Sequence, residues 1–261
     1  MIAGIVEYVL QQQCALLEIG CGDGALTVPL AQQQALVVGV EIDERWWRLL
    51  RAKLAPYPQV VIINQDFLTT AVWPLINAWW GTEQRIMVVA NLPYHVGKQI
   101  MFKLYETTDL APHRVAGWVL MMQAELADRL LARVNSSSYG FLSVVFQHWF
   151  QIKLLRKVSR QAFFPTPRVH SQVVTFTPRC PWPTTDLVVI KFIRQMFRLR
   201  RKTVANNLKR LVDATILVRV KRWRPRWMPL RPQNLTFSDF AALYQQIKVI
   251  RGAIASSKMK G

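Results

Sequence analysis

The first half of the chain repeats one pattern: a short apolar run rich in Val and Ile, a polar strand end, and then a segment with helical spacing. Strands that alternate with helices form βαβ units, and such units produce a largely parallel sheet covered by helices. The pattern therefore predicts a doubly wound, Rossmann-like α/β domain. Its predicted strands are residues 15–19, 35–40, 60–63, 85–90 and 115–122.

A glycine-rich turn follows the first predicted strand, at the edge where open α/β sheets bind ligands. Its glycines, Gly20, Gly22 and Gly24, differ in spacing from the G-x-G-x-x-G pattern of dinucleotide-binding turns. Glu18 lies inside the strand, close to where a pyrophosphate would sit. Its negative charge disfavours phosphate and suits a cationic amino acid group. The turn therefore disfavours a nicotinamide dehydrogenase.

Acidic residues also follow the next two predicted strands. Glu41 ends the second and is placed to accept hydrogen bonds from ribose hydroxyls, by analogy with dinucleotide sites. Asp66 ends the third and is placed to accept one from an adenine amino group. Ribose, adenine and an ammonium-bearing tail without phosphate describe S-adenosylmethionine. Each acid by itself has a simpler interpretation as a helix cap or a surface charge. Their occurrence at the ends of successive strands favours a shared role in binding this ligand.

The fourth predicted strand runs into residues 91–94, Asn-Leu-Pro-Tyr. Proline biases the preceding residue towards an extended conformation, so the Leu92 carbonyl is held in one direction. The Asn91 side-chain oxygen supplies a second acceptor, and Tyr94 supplies a ring on which a flat base can stack. Two acceptors and a ring suit the exocyclic amino group of a nucleobase. An ordinary turn at the strand end is the simpler alternative.

The net charge of +19 is concentrated in the last third of the chain. Residues 181–261 hold 18 Lys/Arg against 3 Asp/Glu, whereas residues 1–180 hold 16 against 12. This asymmetry favours nucleic acid as a partner, with an anionic membrane surface as the alternative. No apolar run approaches the roughly 20 residues of a membrane span. Residues 1–13 lack the basic start of a secretory signal.

Three cysteines and four histidines are scattered through the chain. The cysteines are odd in number and form no C-x-x-C pair, and the histidines lack the spacing of metal ligands. We therefore expect a reduced, cytoplasmic protein without a metal site.

Three prolines within residues 178–183 interrupt both periodicities, and we place a domain boundary between residues 178 and 179. Residues 191–211 beyond it have the spacing of one amphipathic helix. Acids at i+4 that would neutralise its basic face are absent. That face carries Arg194, Arg198, Arg201, Lys202 and Lys209, and the apolar face carries Phe192, Met196, Leu199 and Val204.

Farther on, Arg222 and Arg224 alternate with Trp223 and Trp227. Such a mixture suits RNA backbone and exposed bases, although core packing is an equal alternative for both rings. Thr236 or Ser238 is placed to cap a closing helix, and residues 256–261 are predicted to be disordered. Residues 179–261 thus predict a small, basic helical domain.

Taken together, these stretches resemble the ribosomal RNA adenine dimethyltransferases of the KsgA type, which methylate two adjacent adenosines of small-subunit rRNA. The first four segments alone fit many methyltransferases, but the full set covers nearly the whole chain. The matching segments are residues 17–27, 40–43, 65–66, 91–94, 122–125, 139–144, 162–169, 200–203 with 207–208, and 231–235.

The resemblance implies a class I S-adenosylmethionine methyltransferase domain at residues 1–178 and an RNA-binding domain at residues 179–261. It also implies a monomer that acts on the small subunit during ribosome assembly. The implied catalytic residues are Asn91, Leu92, Pro93 and Tyr94. The implied donor-binding residues are Glu18, Gly20, Gly22, Gly24, Glu41, Ile42, Asp66, Phe67 and Asn91. The implied RNA-binding residues are Arg194, Arg198, Arg201, Lys202, Arg222 and Arg224.

The chain departs from the family pattern in three places. Members usually begin with a basic segment carrying Gly-Gln-(Asn/His)-Phe-Leu that helps to close over the donor, whereas residues 1–13 resemble the first helix itself. Phe141 stands where an arginine is usual, and His170 where an aspartate is usual. We expect the first departure to affect donor affinity and the other two to affect RNA contacts or loop geometry.

Two other functions stay open on the sequence alone. One is a ribosome-assembly or RNA-binding factor that keeps the fold but transfers methyl groups weakly or not at all. The other is a related methyltransferase that acts on large-subunit rRNA. The Asn-Leu-Pro-Tyr sequence does not separate these substrates, whereas the C-terminal segments favour the small subunit.

Overall fold

The computed structural model of the chain describes four stretches: residues 2–93, 95–163, 166–183 and 187–258. They divide into two compact units, which we call unit 1 and unit 2. Unit 1 comprises Met1–Ala127 and Phe150–Trp182. Unit 2 comprises Asp128–Trp149 and Pro183–Gly261.

The division of the chain differs in part from the predicted boundary at residues 178 and 179. That boundary falls near the third crossing between the units, after residue 182, but residues 128–149 also belong to unit 2. The reason is packing, because Tyr139 and Val144 from this stretch are buried in the core cluster of unit 2. Charge and proline content alone gave no sign of this exchange.

Among the described residues, seven strands form the sheet of unit 1 in the order β3-β2-β1-β4-β5-β7-β6. The strands β1 to β5 are parallel to one another. β7 runs antiparallel to β5, and β6 runs antiparallel to β7. The strands are β1 Ala15–Ile19, β2 Val37–Glu41, β3 Val60–Asn64, β4 Ile86–Asn91, β5 Val115–Gln123, β6 Phe150–Val158 and β7 Ser171–Pro178.

The predicted α/β fold with a parallel sheet is confirmed for the first five strands. Every residue of β1 and β2 is buried, as expected for strands covered on both faces. The antiparallel pair β6 and β7 was not predicted. β6 is an edge strand with mostly exposed or half-buried residues, so its sequence is too polar to indicate a buried strand.

Helices connect the strands of unit 1 and build unit 2. Asp43 caps α3, because its carboxylate accepts a hydrogen bond from the Arg45 amide at 2.9 Å. The helices that begin in unit 1 are α1 Ile2–Leu10, α2 Thr27–Gln32, α3 Glu44–Leu54, α4 Val72–Trp80, α5 Gly97–Leu110 and α6 Ala124–Leu131. Those of unit 2 are α7 Phe141–Trp149, α8 Leu187–Arg198, α9 Val204–Leu208, α10 Ala214–Trp223 and α11 Phe237–Lys258.

The single helix predicted over residues 191–211 is wrong, because α8 ends at Arg198 and α9 begins at Val204. Thr203 caps the start of the second helix, since its side chain accepts a hydrogen bond from the Asn206 amide. The buried Asn207 side chain donates to the Leu199, Lys202 and Thr203 carbonyls and so stabilises the turn.

The last helix begins as predicted. The Thr236 hydroxyl accepts from the Asp239 amide at 3.2 Å, and the Asp239 carboxylate accepts from the Thr236 amide at 2.8 Å. α11 then continues to Lys258, so residues 256–258 are helical where disorder was predicted. Across the stretches that the structure describes, no helix is long and apolar enough to cross a membrane.

Candidate functional site

A cavity of about 500 Å³ opens in unit 1 at the carboxyl ends of β1 and β4. It brings the glycine turn after β1 and the strand end at Asn91 to one wall, as the sequence predicted. The polar part of the wall consists of Glu18, Gly20, Cys21, Gly22, Asp23 and Asn91. The apolar part includes Ile2, Ile5, Leu26, Trp46, Val89, Ala90, Val119, Met121, Phe163 and Val173.

The glycine turn owes its shape to positive φ angles at Gly20, Gly22 and Gly24, which are +73°, +54° and +87°. Glu41 holds the turn from the end of β2. Its carboxylate accepts the Gly22 amide at 2.8 Å and the Asp43 amide at 2.8 Å, one on each oxygen. Each oxygen keeps a further lone pair for another donor, so Glu41 is fixed in place and still able to accept from a ligand.

Glu18 is the most unusual group of the site. Its side chain is 3% exposed, and its Oε2 has no hydrogen-bond partner within the described stretches. Burial raises the pKa of Glu18 to about 8, the neighbouring Thr27 hydroxyl lowers it, and the charge of Glu41 raises it further. Glu18 is therefore mostly neutral at pH 7.

Asn91 is the last residue of β4, where its exposed side chain reaches the cavity wall. The next residue turns inward, with the Leu92 side chain buried and its amide donating to the Met121 carbonyl at 2.9 Å. This bond fixes the peptide at the strand end. Pro93 is exposed, and Tyr94 lies outside the described residues.

Five predicted donor-binding residues, Glu41 among them, do not belong to the described cavity wall. Asp66 accepts the Leu68 amide at 2.8 Å in a turn of its own and borders a different cavity. Phe67 is buried and Ile42 is 68% exposed. Gly24 packs closely on Leu50, since a Cβ at Gly24 would lie 2.6 Å from that side chain. The structure thus brings together only part of the predicted set.

Several wall residues were not predicted. Ile2 and Ile5 reach the cavity from α1, and Trp46 reaches it from α3. Phe163 belongs to the segment 162–169 that carries the family resemblance, so that segment was the signal for it. Its neighbours Phe164 and Pro165 lie outside the described residues.

The basic residues predicted to bind RNA are all exposed in unit 2. Arg194 and Arg198 lie on α8, whereas Arg201 and Lys202 lie in the turn before α9, so these four do not share one helix. The Arg194 guanidinium lies 5.0 Å from the Phe141 ring centre, at the position where the family usually has an arginine.

Arg222 is exposed near the C-terminal end of α10, and Arg224 directly follows the helix. The Arg224 guanidinium lies 5.0 Å from the Trp223 ring centre and 5.3 Å from that of Trp227. Both rings are half-buried and pack against the core cluster of unit 2. The tryptophans therefore act in part as core residues, and they also restrain an exposed cation.

Three of the segments that carry the resemblance meet in unit 2. Arg200 donates to the Ser137 carbonyl at 2.6 Å, and the Asn135 amide donates to the Gln233 carbonyl at 3.0 Å. Asn234 donates to the Asn135 side chain at 2.8 Å. These bonds fix the turn before α7. The third departure, His170, lies in unit 1, where its carbonyl accepts the Ala124 amide at 2.9 Å.

The model of the family described as Ribosomal RNA adenine dimethylase matches residues 1–222. The chain is 41% identical over 249 residues to Ribosomal RNA small subunit methyltransferase A of Bacillus cytotoxicus, with 92% of this chain and 84% of that protein covered. Its identity to the protein of the same name from Bacillus cereus is 40%, with the same coverage.

Two solved structures share the fold over nearly the whole chain. A dimethyladenosine transferase from Plasmodium falciparum superposes with a TM-score of 0.74 and 23% identity, covering 94% of this chain and 95% of that chain. The 23S rRNA methyltransferase ErmE superposes with a TM-score of 0.63 and 22% identity, covering 95% and 96%. The fold is thus similar to enzymes named for different RNA substrates.

Proposed function

The chain belongs to the ribosomal RNA adenine dimethylase family, and from this premise we propose that it dimethylates two adjacent adenosines of small-subunit rRNA with S-adenosylmethionine as the methyl donor. The observation that carries the proposal is the cavity that joins Glu18 and the glycine turn to Asn91. Methyl transfer between two bound substrates needs both within one site, because the reacting atoms have to be held in line. Relatives at about 40% identity are named as small-subunit rRNA methyltransferases, and these names support small-subunit rRNA as the substrate.

The site fits this donor by its chemistry. Glu18 offers a buried carboxyl oxygen without a partner, and nothing lies within 4 Å of a Cβ built at Gly20 or Gly22, so a ligand has room against the turn. We propose that Glu18, Gly20, Gly22 and Glu41 hold the donor directly. Gly24, Ile42, Asp66 and Phe67 stay in the proposal as residues that shape the strand ends around it.

The donor supplies an electrophilic methyl group, and the protein has to supply a competent nucleophile. An adenine amino nitrogen is a poor nucleophile because its lone pair is delocalised into the ring. Hydrogen bonds from the amine to the Asn91 side-chain oxygen and the Leu92 carbonyl favour a pyramidal nitrogen with its lone pair free. The hydrogen bond from the Leu92 amide to the Met121 carbonyl preorganises this pair of acceptors.

No strong general base is required, because the nitrogen becomes a much stronger acid once it is methylated. The target base has to leave its stack to reach the cavity, and we propose that Tyr94 stacks on it and that Pro93 fixes the turn. In unit 2, Arg194, Arg198, Arg201, Lys202, Arg222 and Arg224 bind RNA phosphates. We further propose a cytoplasmic monomer that acts on the pre-ribosomal small subunit during assembly.

The test is to incubate the full chain with labelled donor and unmethylated small-subunit or large-subunit particles, in separate reactions, and to map methylated adenines in each RNA. We expect two neighbouring adenosines to carry two methyl groups each, and Asn91→Ala to lose them. Methylation confined to large-subunit RNA would overturn the choice of substrate. Tight binding to the particles without any methyl transfer would instead establish the assembly factor.

A further inference from the structure

A further cavity lies in unit 2, between α8 and the stretch formed by α9 and the turn after it. We call it the α8–α9 cavity, and its volume of about 390 Å³ falls within the range of small-ligand sites. None of the described residues that line it is acidic. Those residues are Gln195, Arg198, Leu199, Asn207, Arg210 and Leu211. The cavity thus combines two cationic side chains with two amides and two apolar side chains.

The lining residues form two sets with the same spacing. Each set consists of an amide residue, an arginine three positions later and a leucine directly after the arginine. Side chains three and four positions apart lie on one face of a helix, so each set turns its side chains to one side. The second set extends beyond α9, where the Arg210 amide donates to the Asn207 carbonyl at 3.2 Å and continues the helical turn.

Asn207 offers the cavity an oxygen of fixed orientation. Its side chain is 3% exposed, and its Nδ2 donates to three backbone carbonyls. These bonds use both N–H groups of the amide, so Oδ1 is the atom that remains for another partner. Among the described residues, none donates to this oxygen. A ligand with an N–H group would therefore complete the hydrogen bonding of a buried side chain.

The two arginines of the cavity keep their donors for a ligand. Arg198 and Arg210 are exposed, and their side chains form no ion pair or hydrogen bond with other described residues. Arg251 of α11, by contrast, donates to the Leu211 carbonyl at 3.1 Å and so holds one side of the cavity in place. Two guanidinium groups at one small cavity suit a phosphate, which accepts hydrogen bonds from such groups in pairs.

We propose that the α8–α9 cavity binds one unpaired nucleotide of the RNA. Its phosphate lies on Arg198 and Arg210, an amino group of its base donates to Asn207 Oδ1, and Gln195 contacts the base edge. Cytosine and adenine carry an amino group at that edge, whereas uracil carries a keto oxygen that would leave Oδ1 without a donor. The inference deepens the proposed function and rests on it for RNA as the partner.

This nucleotide is additional to the adenosine that is methylated, since Asn91 belongs to unit 1. It would give unit 2 a preference for sequence. Contacts to phosphate alone position a protein on RNA without reading its bases. A cavity that accepts one base by its amino group adds such a reading to the basic surface around it.

The experiment measures binding of fluorescently labelled hexacytidylate and hexauridylate to the full chain by anisotropy at neutral pH. Saturating S-adenosylhomocysteine keeps the bases out of the donor cavity. We expect the wild type to bind hexacytidylate about tenfold more tightly than hexauridylate, the effect of one hydrogen bond to the base.

The first variant combines Arg198→Gln and Arg210→Gln. We expect both oligomers to bind more weakly and the ratio of their affinities to fall to about one, because the nucleotide is no longer held in the cavity. Arg219→Gln with Arg226→Gln is the matched control, since both residues are exposed in unit 2 and the same charge is removed. This control should lower both affinities and retain the preference for cytidylate.

The second variant, Gln195→Ala, removes a cavity contact and no charge. We expect it to weaken hexacytidylate binding several-fold without changing the salt dependence, because no counterion is involved. Gln245→Ala on the exposed side of α11 is its control and should bind as the wild type does.

Equal affinity of the wild type for the two oligomers would overturn the inference. A tenfold preference that survives in the double arginine variant would do so as well, since the base would then be read elsewhere. Cytidine 5′-monophosphate that binds more tightly than hexacytidylate would show that the cavity takes a free nucleotide instead of RNA. None of these measurements depends on methyl transfer, so absent methylation with an intact preference would overturn the proposed function alone.

Discussion

Unit 1 and unit 2 differ in the balance of their acidic and basic residues and in how deeply these residues are buried. Unit 1 has 14 Lys/Arg against 11 Asp/Glu, and two of its acids, Glu18 and Glu41, are buried beside the cavity. Unit 2 has 20 against 4, and the cations predicted to bind RNA are exposed. A buried acid is positioned for one small ligand at one place, whereas exposed cations attract a polyanion over a wide surface.

The difference indicates how the two tasks of the enzyme are separated. The chemistry and donor recognition proposed for unit 1 require fixed geometry, and hydrogen bonds of backbone amides hold Glu41 and the strand end at Leu92 in place. Affinity for RNA requires mainly charge density, which tolerates the helix break at residues 199–203. Changes in unit 1 are therefore expected to affect turnover or donor binding, and changes in unit 2 to affect RNA affinity.

The largest expected effect concerns the stability of unit 1 as a function of pH. The folded protein keeps the Glu18 proton up to about pH 8, whereas an unfolded chain loses it near pH 4.5. The stabilisation is therefore complete below pH 4.5 and is lost as the pH rises to 8, by roughly 4 kcal/mol without donor. Hydrogen exchange should show this decline in β1 and not in α11.

Glu18→Gln is expected to abolish that decline, because an amide does not titrate. Glu106→Gln, an exposed acid of the same unit, serves as the control and should retain it. An equal loss of protection in both units would break the comparison, since the effect would then not be local to the buried acid.

The second expected effect is on catalysis. Asn91→Ala removes one preorganised acceptor, and a loss of roughly 3 kcal/mol in transition-state stabilisation lowers single-turnover methyl transfer roughly 150-fold. Donor and RNA affinities should change little, because the contact matters mainly while the nitrogen becomes nucleophilic. Asn206→Ala in unit 2 is the control, since Asn206 is also exposed. Unchanged rates in Asn91→Ala would remove the residue from the mechanism.

The third expected effect is on RNA affinity. Replacing four exposed cations of unit 2 with Ala should weaken RNA binding by about a hundredfold and reduce the log–log salt slope by about 3, because fewer counterions are released. The four are Arg194, Arg198, Arg201 and Lys202. Titrations over a salt series would measure both quantities, with donor affinity expected to be unaltered.

A matched control for this experiment lies in unit 1. Its four substitutions remove the same charge from exposed positions: Arg48, Lys98, Lys153 and Lys157. If this variant loses as much RNA affinity and salt slope as the first, the binding surface is not particular to unit 2 and the comparison fails.

The smallest expected effect is on donor binding. Glu41→Ala removes a proposed hydrogen-bonding partner of the donor and leaves the Gly22 amide without its acceptor, so we expect a loss of about 2 kcal/mol, roughly thirtyfold in Kd. Glu41→Gln should lose less, because it keeps one acceptor. Glu44→Ala, an exposed neighbour in the first turn of α3, should bind normally. Calorimetry that finds the wild-type Kd in Glu41→Ala would exclude Glu41 from the donor site.

The sequence by itself determined the α/β alternation, the glycine turn after β1 and the acceptor residues at the end of β4. These are local properties, because apolar runs, glycines and a proline restrict the backbone wherever they occur. The concentration of basic residues near the C-terminus was equally plain. Each of these features could be located without knowing what packs against it.

Only the tertiary structure decided which residues share the cavity. Asp66 follows β3 as predicted, yet one of its carboxylate oxygens accepts the Leu68 amide in a turn of its own, and the residue lines another cavity. Ile2 reaches the wall because α1 packs against the sheet, a contact that has no signature in local spacing. Likewise, the lack of a hydrogen-bond partner for Oε2 of Glu18 among the described residues is a property of its surroundings, and only folding brings those surroundings together.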